Sequence, residues 1–535
     1  MRNAATGEPL PRALVRIEGD ANTGALTDGE GRFEIPGVPI GPQSLDVVKP
    51  GFSGKVENSG YAIPVSHSVH VADQMPDLSF SLAPANVLWG HVTLATGEPG
   101  AGIGLTLLRL TVEDGCAHWT ETDSHQTTPE GEYRFSGLED GSYTLMTQPE
   151  FDNERASAPA CDGPAPAVLT GYPIVFYPDS ADVASADRIE LSGGRQAQAN
   201  LTLTPGSFHA VQTNLGKTPG GHWQFTSALM DRNGQPLAYP LRQDDKSHAL
   251  CAYLPDGAYT LTVEGTAADD DSNLLQSPSQ RNRNPKQLAG LLDFAIDGPV
   301  KTPLRVPLSA GAATPIHVRY EPGPPAARQS ANASPEGFEP DADPLGLWAV
   351  RANGTAARGE IQKSAYLIDT DLYQLDMAAP GAYWIHASAN RPGTCLGAVT
   401  AGGTNLAHQP WIAGTLGTGT AIEAVVRTDC AKLTLQLPVS ILLEQAGEEP
   451  TVFVYLAPEF ESIQGVREIT LQPSAGAPGT LENLTPGPYR VFVFDAPQSL
   501  EYRNPAAMER LAGKGQQVTL SPGGSANLVL EIPSR

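Results

Sequence analysis

The chain has 535 residues, 40% hydrophobic and 17% charged, which is enough apolar material for several cores and too little charge for wholesale disorder. Thirty-four Lys and Arg stand against 59 Asp and Glu, and the net charge of −25 excludes the basic surface needed for sequence-independent nucleic-acid binding or adsorption to anionic lipid. Fifty-five Gly and 48 Pro, spread without a collagen-like period, mean many turns and therefore many short strands.

In chain order, the first signal is a turn. Thr6-Gly7-Glu8-Pro9 recurs unchanged as Thr96-Gly97-Glu98-Pro99, and a relative, Asn233-Gly234-Gln235-Pro236, opens a third unit. Each is expected to cap a hairpin after a first strand. Next, Thr27-Asp28-Gly29-Glu30-Gly31-Arg32-Phe33 matches Thr127-Thr128-Pro129-Glu130-Gly131-Glu132-Tyr133, and in both the last Gly precedes a later turn Gly by 10 residues.

That later turn recurs five times: an apolar residue, two residues rich in Pro or acid, Gly, one residue, then usually Tyr and an alternating strand. The copies are Val38-Pro39-Ile40-Gly41-Pro42-Gln43, Leu138-Glu139-Asp140-Gly141-Ser142-Tyr143, Leu254-Pro255-Asp256-Gly257-Ala258-Tyr259, Ala378-Ala379-Pro380-Gly381-Ala382-Tyr383 and Leu484-Thr485-Pro486-Gly487-Pro488-Tyr489. By subtraction their glycines lie 100, 116, 124 and 106 residues apart, a domain-sized spacing. The Tyr is expected to pack at a sandwich corner with its hydroxyl hydrogen-bonded. Helical pattern is scarce, with short candidates at 284–292 and at 505–513; 321–343 reads as a long loop or linker, and Asp269-Asp270-Asp271 as the start of a loop. The expected units are 1–84, 85–205, 206–310, 311–434 and 435–535, an all-β tandem array of about five seven-stranded sandwiches, transthyretin-like or immunoglobulin-like.

These phrases resemble the carboxypeptidase regulatory-like family. The first unit carries Thr6-Gly7-Glu8-Pro9-Leu10 with Ala13 and Val15, then Thr27-Asp28, Gly31 and Phe33; the second carries Gly90-His91-Val92 and Thr96-Gly97-Glu98-Pro99. The resemblance implies a seven-stranded transthyretin-like sandwich and, since such domains are accessories of zinc peptidases, no catalytic zinc. The later units keep mainly the last phrase and are similar in style to long bacterial surface proteins. The first unit departs from the pattern, because nothing corresponds to Val87-Leu88-Trp89-Gly90-His91 before its Thr-Gly-Glu-Pro phrase. A truncated start, with a first strand and a signal peptide upstream of Met1, is therefore expected.

Few residues suggest chemistry. His118-Trp119-Thr120-Glu121 spells H-x-x-E, half of a zinc motif, but in a predicted strand. His67 and His70 lie near Asp73, and Asp269-Asp270-Asp271 lacks the ligand spacing of a calcium loop. No catalytic residue, metal site or cofactor is expected. Trp89, Trp119, Trp223, Trp348, Trp384 and Trp411 could stack on sugars or fill cores. In an oxidising compartment Cys116 would pair with Cys161 and Cys395 with Cys430, leaving Cys251; the alternative is five unpaired thiols.

The expected function is that of a non-catalytic structural or adhesive protein, secreted, periplasmic or at the cell surface. It would be a monomer that binds a surface protein or polysaccharide, without nucleic acid and without membrane insertion, since no run approaches about 18 apolar residues. The alternative is a carbohydrate-binding protein acting with a separate hydrolase. Coplanar exposed aromatics on one face would favour that alternative, and tryptophans dispersed among the cores would favour the structural reading.

Overall fold

The structure is a computed structural model that describes all residues except 20–22, 53–64, 73–76, 114, 153–158, 160, 162–165, 219–222, 233, 245–246, 268–286, 311–313, 323–344, 353–362, 370, 376–380, 415–418, 439–451, 472–477, 495–496 and 532–535. It is nearly all β, with many separate sheets. The expectations for Asp73, Asp269-Asp270-Asp271 and most of 321–343 lie outside the described residues. Residues 505–511 form the expected short helix, Pro505–Leu511, capped by the Asn504 side chain, which accepts from the Ala507 N–H. The other helical candidate is corrected: Gln287–Ile296 is a strand, paired along its length with Gly257–Ala267. Its apolar spacing fits either period, and a long partner strand decides for pairing.

The second unit shows the plan. One sheet runs Ile189–Leu191, Gly141–Thr147, Gly104–Glu113, Cys116–Gln126; the other places Asn86–Leu94 between Glu132–Leu138 and the parallel strands Gln196–Gln198 and Leu201–Leu203. Alternation directs Tyr133, Phe135, Tyr143 and Leu145 inward, where they meet Leu88, Leu105 and Leu107. The fifth unit follows the same plan. Gly479–Leu484, Ala431–Gln436 and Ser525–Val529 face Arg467–Leu471, Val452–Pro458, Gly487–Phe494 and Gln516–Leu520 across one core. The fourth differs, because its nine described strands from Thr314 to Arg427 form one continuous sheet folded around its core.

The recurring phrases are mechanical devices. Gly7, Gly97 and Gly234 all adopt positive φ, and the residue opening each hairpin donates its N–H across the turn: Asn3 N–H to Glu8 O, Leu94 N–H to Glu98 O, Asp231 N–H to Gln235 O. Thr27 and Thr127 are buried and do the same work. Each hydroxyl donates to a carbonyl (Leu10 at 2.6 Å, Gly100 at 2.5 Å) and accepts the N–H three residues on from it (Ala13 at 2.8 Å, Ile103 at 2.9 Å).

In the corner phrase the tyrosine hydroxyl donates to the carbonyl four residues before it: Tyr143 to Glu139 at 2.9 Å, Tyr259 to Pro255 at 2.9 Å, Tyr489 to Thr485 at 2.7 Å. In the first unit Gln43 stands in the tyrosine's place, and its amide donates to Pro39 O at 3.2 Å. Tyr383 is equally buried, with the Arg351 guanidinium 5.5 Å above its ring, as Arg109 lies 5.9 Å above Tyr143.

The first unit has a reduced counterpart of the strand Asn86–Leu94. The Met1 ammonium donates to Gly31 O at 2.7 Å, in the place where Val92 N–H donates to Gly131 O at 2.8 Å. Arg2–Asn3 pairs in parallel with Ser81–Leu82. Glu132–Leu138 pairs with residues 86–91, whereas residues 32–35 form no strand. Phe33 and Ile35 are half-buried where Tyr133 and Phe135 are buried.

Two expected boundaries shift. Glu150–Phe151 and Val168–Tyr172 precede residue 205 yet join the third unit's sheet beside Gly206–Leu215. Ala431–Gln436 straddles 434 and belongs wholly to the fifth unit. Turn signals mark where a chain reverses, whereas sheet membership is decided by long-range pairing.

Burial pushes the hydroxyls of Tyr143, Tyr259 and Tyr489 above the ordinary tyrosine value. A raised folded value means that their contribution is complete below about pH 10 and is lost as pH rises through the folded value. An alkaline titration followed by phenolate absorbance should therefore show a late-ionising class that appears together with unfolding. Tyr489→Phe leaves the Thr485 carbonyl without its buried donor and should destabilise the fifth unit by about 1–3 kcal/mol in denaturant titrations, whereas Gln43→Ala, at an exposed bond, should cost less.

Candidate functional site

The residues that suggest chemistry in sequence do not converge. His118 and Glu121 lie on one strand three residues apart, which points them to opposite faces. His118 Nε2 sits 3.5 Å from Glu113 and Nδ1 3.3 Å from Cys116 O, so it closes its own hairpin. His67 and His70, also three apart on the strand Val65–Val71, diverge in the same way. The His67 ring packs on Phe80 at 4.5 Å, and burial lowers its pKa, while His70 is exposed. Among the described residues, no group of three or more His, Cys, Asp or Glu is placed to hold a metal ion, and no helix is long and apolar enough to cross a membrane.

The six tryptophans divide by role. Trp223 and Trp411 are core, and Trp411 Nε1 donates to Thr420 O at 3.1 Å. Trp119 packs on the core shared by the second and third units. Trp384 lies under the guanidinium of Arg503, 4.7 Å away, from the fifth unit. Trp89 and Trp348 are half-buried on sheet faces of different units, each beside a histidine: Trp89 edge-on to His91 at 6.3 Å, Trp348 stacked on His386 at 5.5 Å. Trp348 and Trp384 lie diagonally on one face of the pair Leu345–Arg351 and Gly381–Ala389, with Arg503 covering Trp384; the other four are dispersed.

What the polar residues build instead is a set of clasps. Asn86, fully buried, donates through Nδ2 to Leu138 O at 3.2 Å and Asp140 Oδ1 at 2.8 Å, while its Oδ1 accepts Arg195 N–H at 2.7 Å. This ties the first strand of the unit to the Asp of its corner phrase. In the third unit His209 occupies the same register position and places Nε2 3.1 Å from Asp256, the Asp of that unit's phrase. Neither clasp was legible in sequence, because Asn86 and His209 share no surrounding motif. Their only common signal is the distant Asp-Gly pair.

The cysteines partly depart from expectation. Cys395 and Cys430 are joined, with Cα atoms 5.8 Å apart. Cys161 is joined to Cys251, Cα atoms 5.6 Å apart, and not to Cys116. The reason is the shifted boundary. Cys161 Sγ lies 3.5 Å from Ala249 O, next to Leu250–Pro255 of the third unit, whereas Cys116 sits at the tip of a hairpin that reaches the fifth unit.

The family model of the carboxypeptidase regulatory-like domain matches residues 2–74. Solved structures similar to this chain include a Streptococcal ancillary pilin (12% identity, 54% of this chain and 80% of that chain, TM-score 0.18). They also include the minor pilin of Streptococcus agalactiae (14%, 40% and 88%, TM-score 0.16) and the major pilin subunit of Bacillus cereus (9%, 83% and 98%, TM-score 0.13). Superposition at those scores says nothing of how this chain's units are arranged or used. No curated protein matches the chain in sequence.

Peptide mapping of unreduced protein should recover a Cys161–Cys251 crosslink and no Cys116–Cys161 crosslink. Cys251→Ser should lower the stability of the third unit by about 2–5 kcal/mol in thermal or denaturant unfolding.

Proposed function

We propose that this chain is a non-catalytic structural or adhesive protein that works outside the cytoplasm, where its β-sandwiches form a rigid frame presenting loops and sheet faces to a surface protein or polysaccharide. The observation that carries this reading is where the chemistry-bearing side chains go. Tyrosines close corners, Asn86 and His209 clasp strands, and Trp119, Trp384 and Arg503 fill contacts between units. The two disulfides support an oxidising compartment. The net charge of −25 suits a protein that stays apart from its own copies and from anionic surfaces. Trp223 and Trp411 in cores, with Trp119 and Trp384 taken up in contacts between units, weigh against the carbohydrate-binding alternative.

Fractionation of the source cell should find the chain in the periplasm, at the surface or in the medium, with both bridges formed by mass spectrometry. A reduced chain confined to the cytosol would defeat the reading and direct attention to an intracellular scaffold.

A further inference from the structure

The units succeed one another in sequence, but their contacts form a circuit. The second and third share one core, in which Leu108, Met146 and Phe176 meet Phe208 and Tyr239. The third and fourth meet through Arg351 and Glu264, 3.7 Å apart. The fourth and fifth meet where Thr485 Oγ1 donates to Leu396 O at 2.5 Å, where Gly393 N–H donates to Asn483 at 3.2 Å, and where Ile463 enters the fourth unit's core.

The return contact, from the fifth unit to the second, is made by the strap from Leu500 to Asn504. Arg503 N–H donates to Gly115 O at 3.2 Å, at the tip of the hairpin formed by Gly104–Glu113 and Cys116–Gln126. The Tyr502 ring lies against Gly115 and Gly465, where a Cβ would come within 2.7 Å and 2.6 Å of it. The Arg503 side chain turns the other way, into the fourth unit. It is 6% exposed, covers Trp384 and donates to Ala407 O at 3.0 Å. Two consecutive residues therefore bridge three units.

We propose that this strap is a closure latch: it shuts units two to five into a circuit, and the circuit opens there first. The other contacts join units already linked through the chain, and one of them is a continuous hydrophobic core. The latch joins residues about 390 positions apart in sequence, through a backbone hydrogen bond and a ring seated on glycines. Its seat is close to all-or-none, because a buried guanidinium needs both its carbonyl partner and its aromatic cover. Opening would free the hairpin tip and the Trp384 face while every sandwich stays folded.

The test is hydrogen exchange and small-angle scattering on the full chain carrying Tyr502→Ala, Arg503→Ala or Gly115→Asn. Asn tolerates the φ of +77 at Gly115 yet places a Cβ into the Tyr502 ring, so it breaks the latch from the second unit's side. Each variant should raise the radius of gyration and speed exchange several-fold at the hairpin tip and around Ala407, while Val452–Pro458 and Gly487–Phe494 stay as protected as in the parent. Exchange gains confined to the strap and the helix after it would overturn the proposal, as would parent scattering that already matches an extended string. If the strap variants unfold the fifth unit, Gly115→Asn decides: an unchanged radius with that variant sinks the latch.

Discussion

A hydroxyl or amide that reaches back four residues to a carbonyl is the interaction on which this protein is organised. Each corner phrase must reverse the chain at a glycine and then deliver a strand that is buried on at least one face. The reversal leaves a carbonyl to be satisfied, exposed at Pro39 and buried at Thr485, where leaving it unpaired would be costly. Tyr143, Tyr259 and Tyr489 satisfy it with a hydroxyl carried on a ring that also fills the corner. Gln43 satisfies it without the ring, in the unit with the smallest set of buried residues among the five main cores. With the corner tied, the following strand enters the sheet in one register, and its alternation places Leu145, Leu261 and Val491 in their cores.

The same economy of polar groups explains why no reactive constellation appears among the candidates. In a small sandwich each buried polar side chain needs a partner, and the nearest partners are backbone groups of turns and strand ends. Thr27 and Thr127 fill that role at the hairpin entrance, Asn86 and His209 at the first strand. The histidines that stand out in the sequence sit on strands, where spacing by three separates side chains that the same spacing on a helix would bring together.

Stability is distributed unevenly over the assembly. The second and third units are welded by a common core that draws on strands from both, so they are expected to unfold as one. The fifth unit holds the fourth through polar bonds, through Ile463 in the fourth unit's core and through Arg503 on Trp384, and among the described residues it meets the second through the strap. A frame of this kind is stiff within its sandwiches and within the welded pair, and the proposed latch would open without loss of any core.

The sequence by itself determined the all-β class, the turn at each Thr-Gly-Glu-Pro and the corners at Tyr143, Tyr259 and Tyr489, since each turn and corner is a local device written in neighbouring residues. The resemblance of the first unit to the carboxypeptidase regulatory-like family was legible for the same reason. Tertiary structure alone decided which strands share a sheet, and with that the partner of Cys161, the strand at Gln287–Ile296, the place of Ala431–Gln436 and the seat of Arg503 on Trp384. Those outcomes depend on pairing and burial between residues far apart in the chain, 90 positions for the Cys161–Cys251 bridge. No local pattern encodes them, because a strand's alternation says which face is buried but not what will cover it.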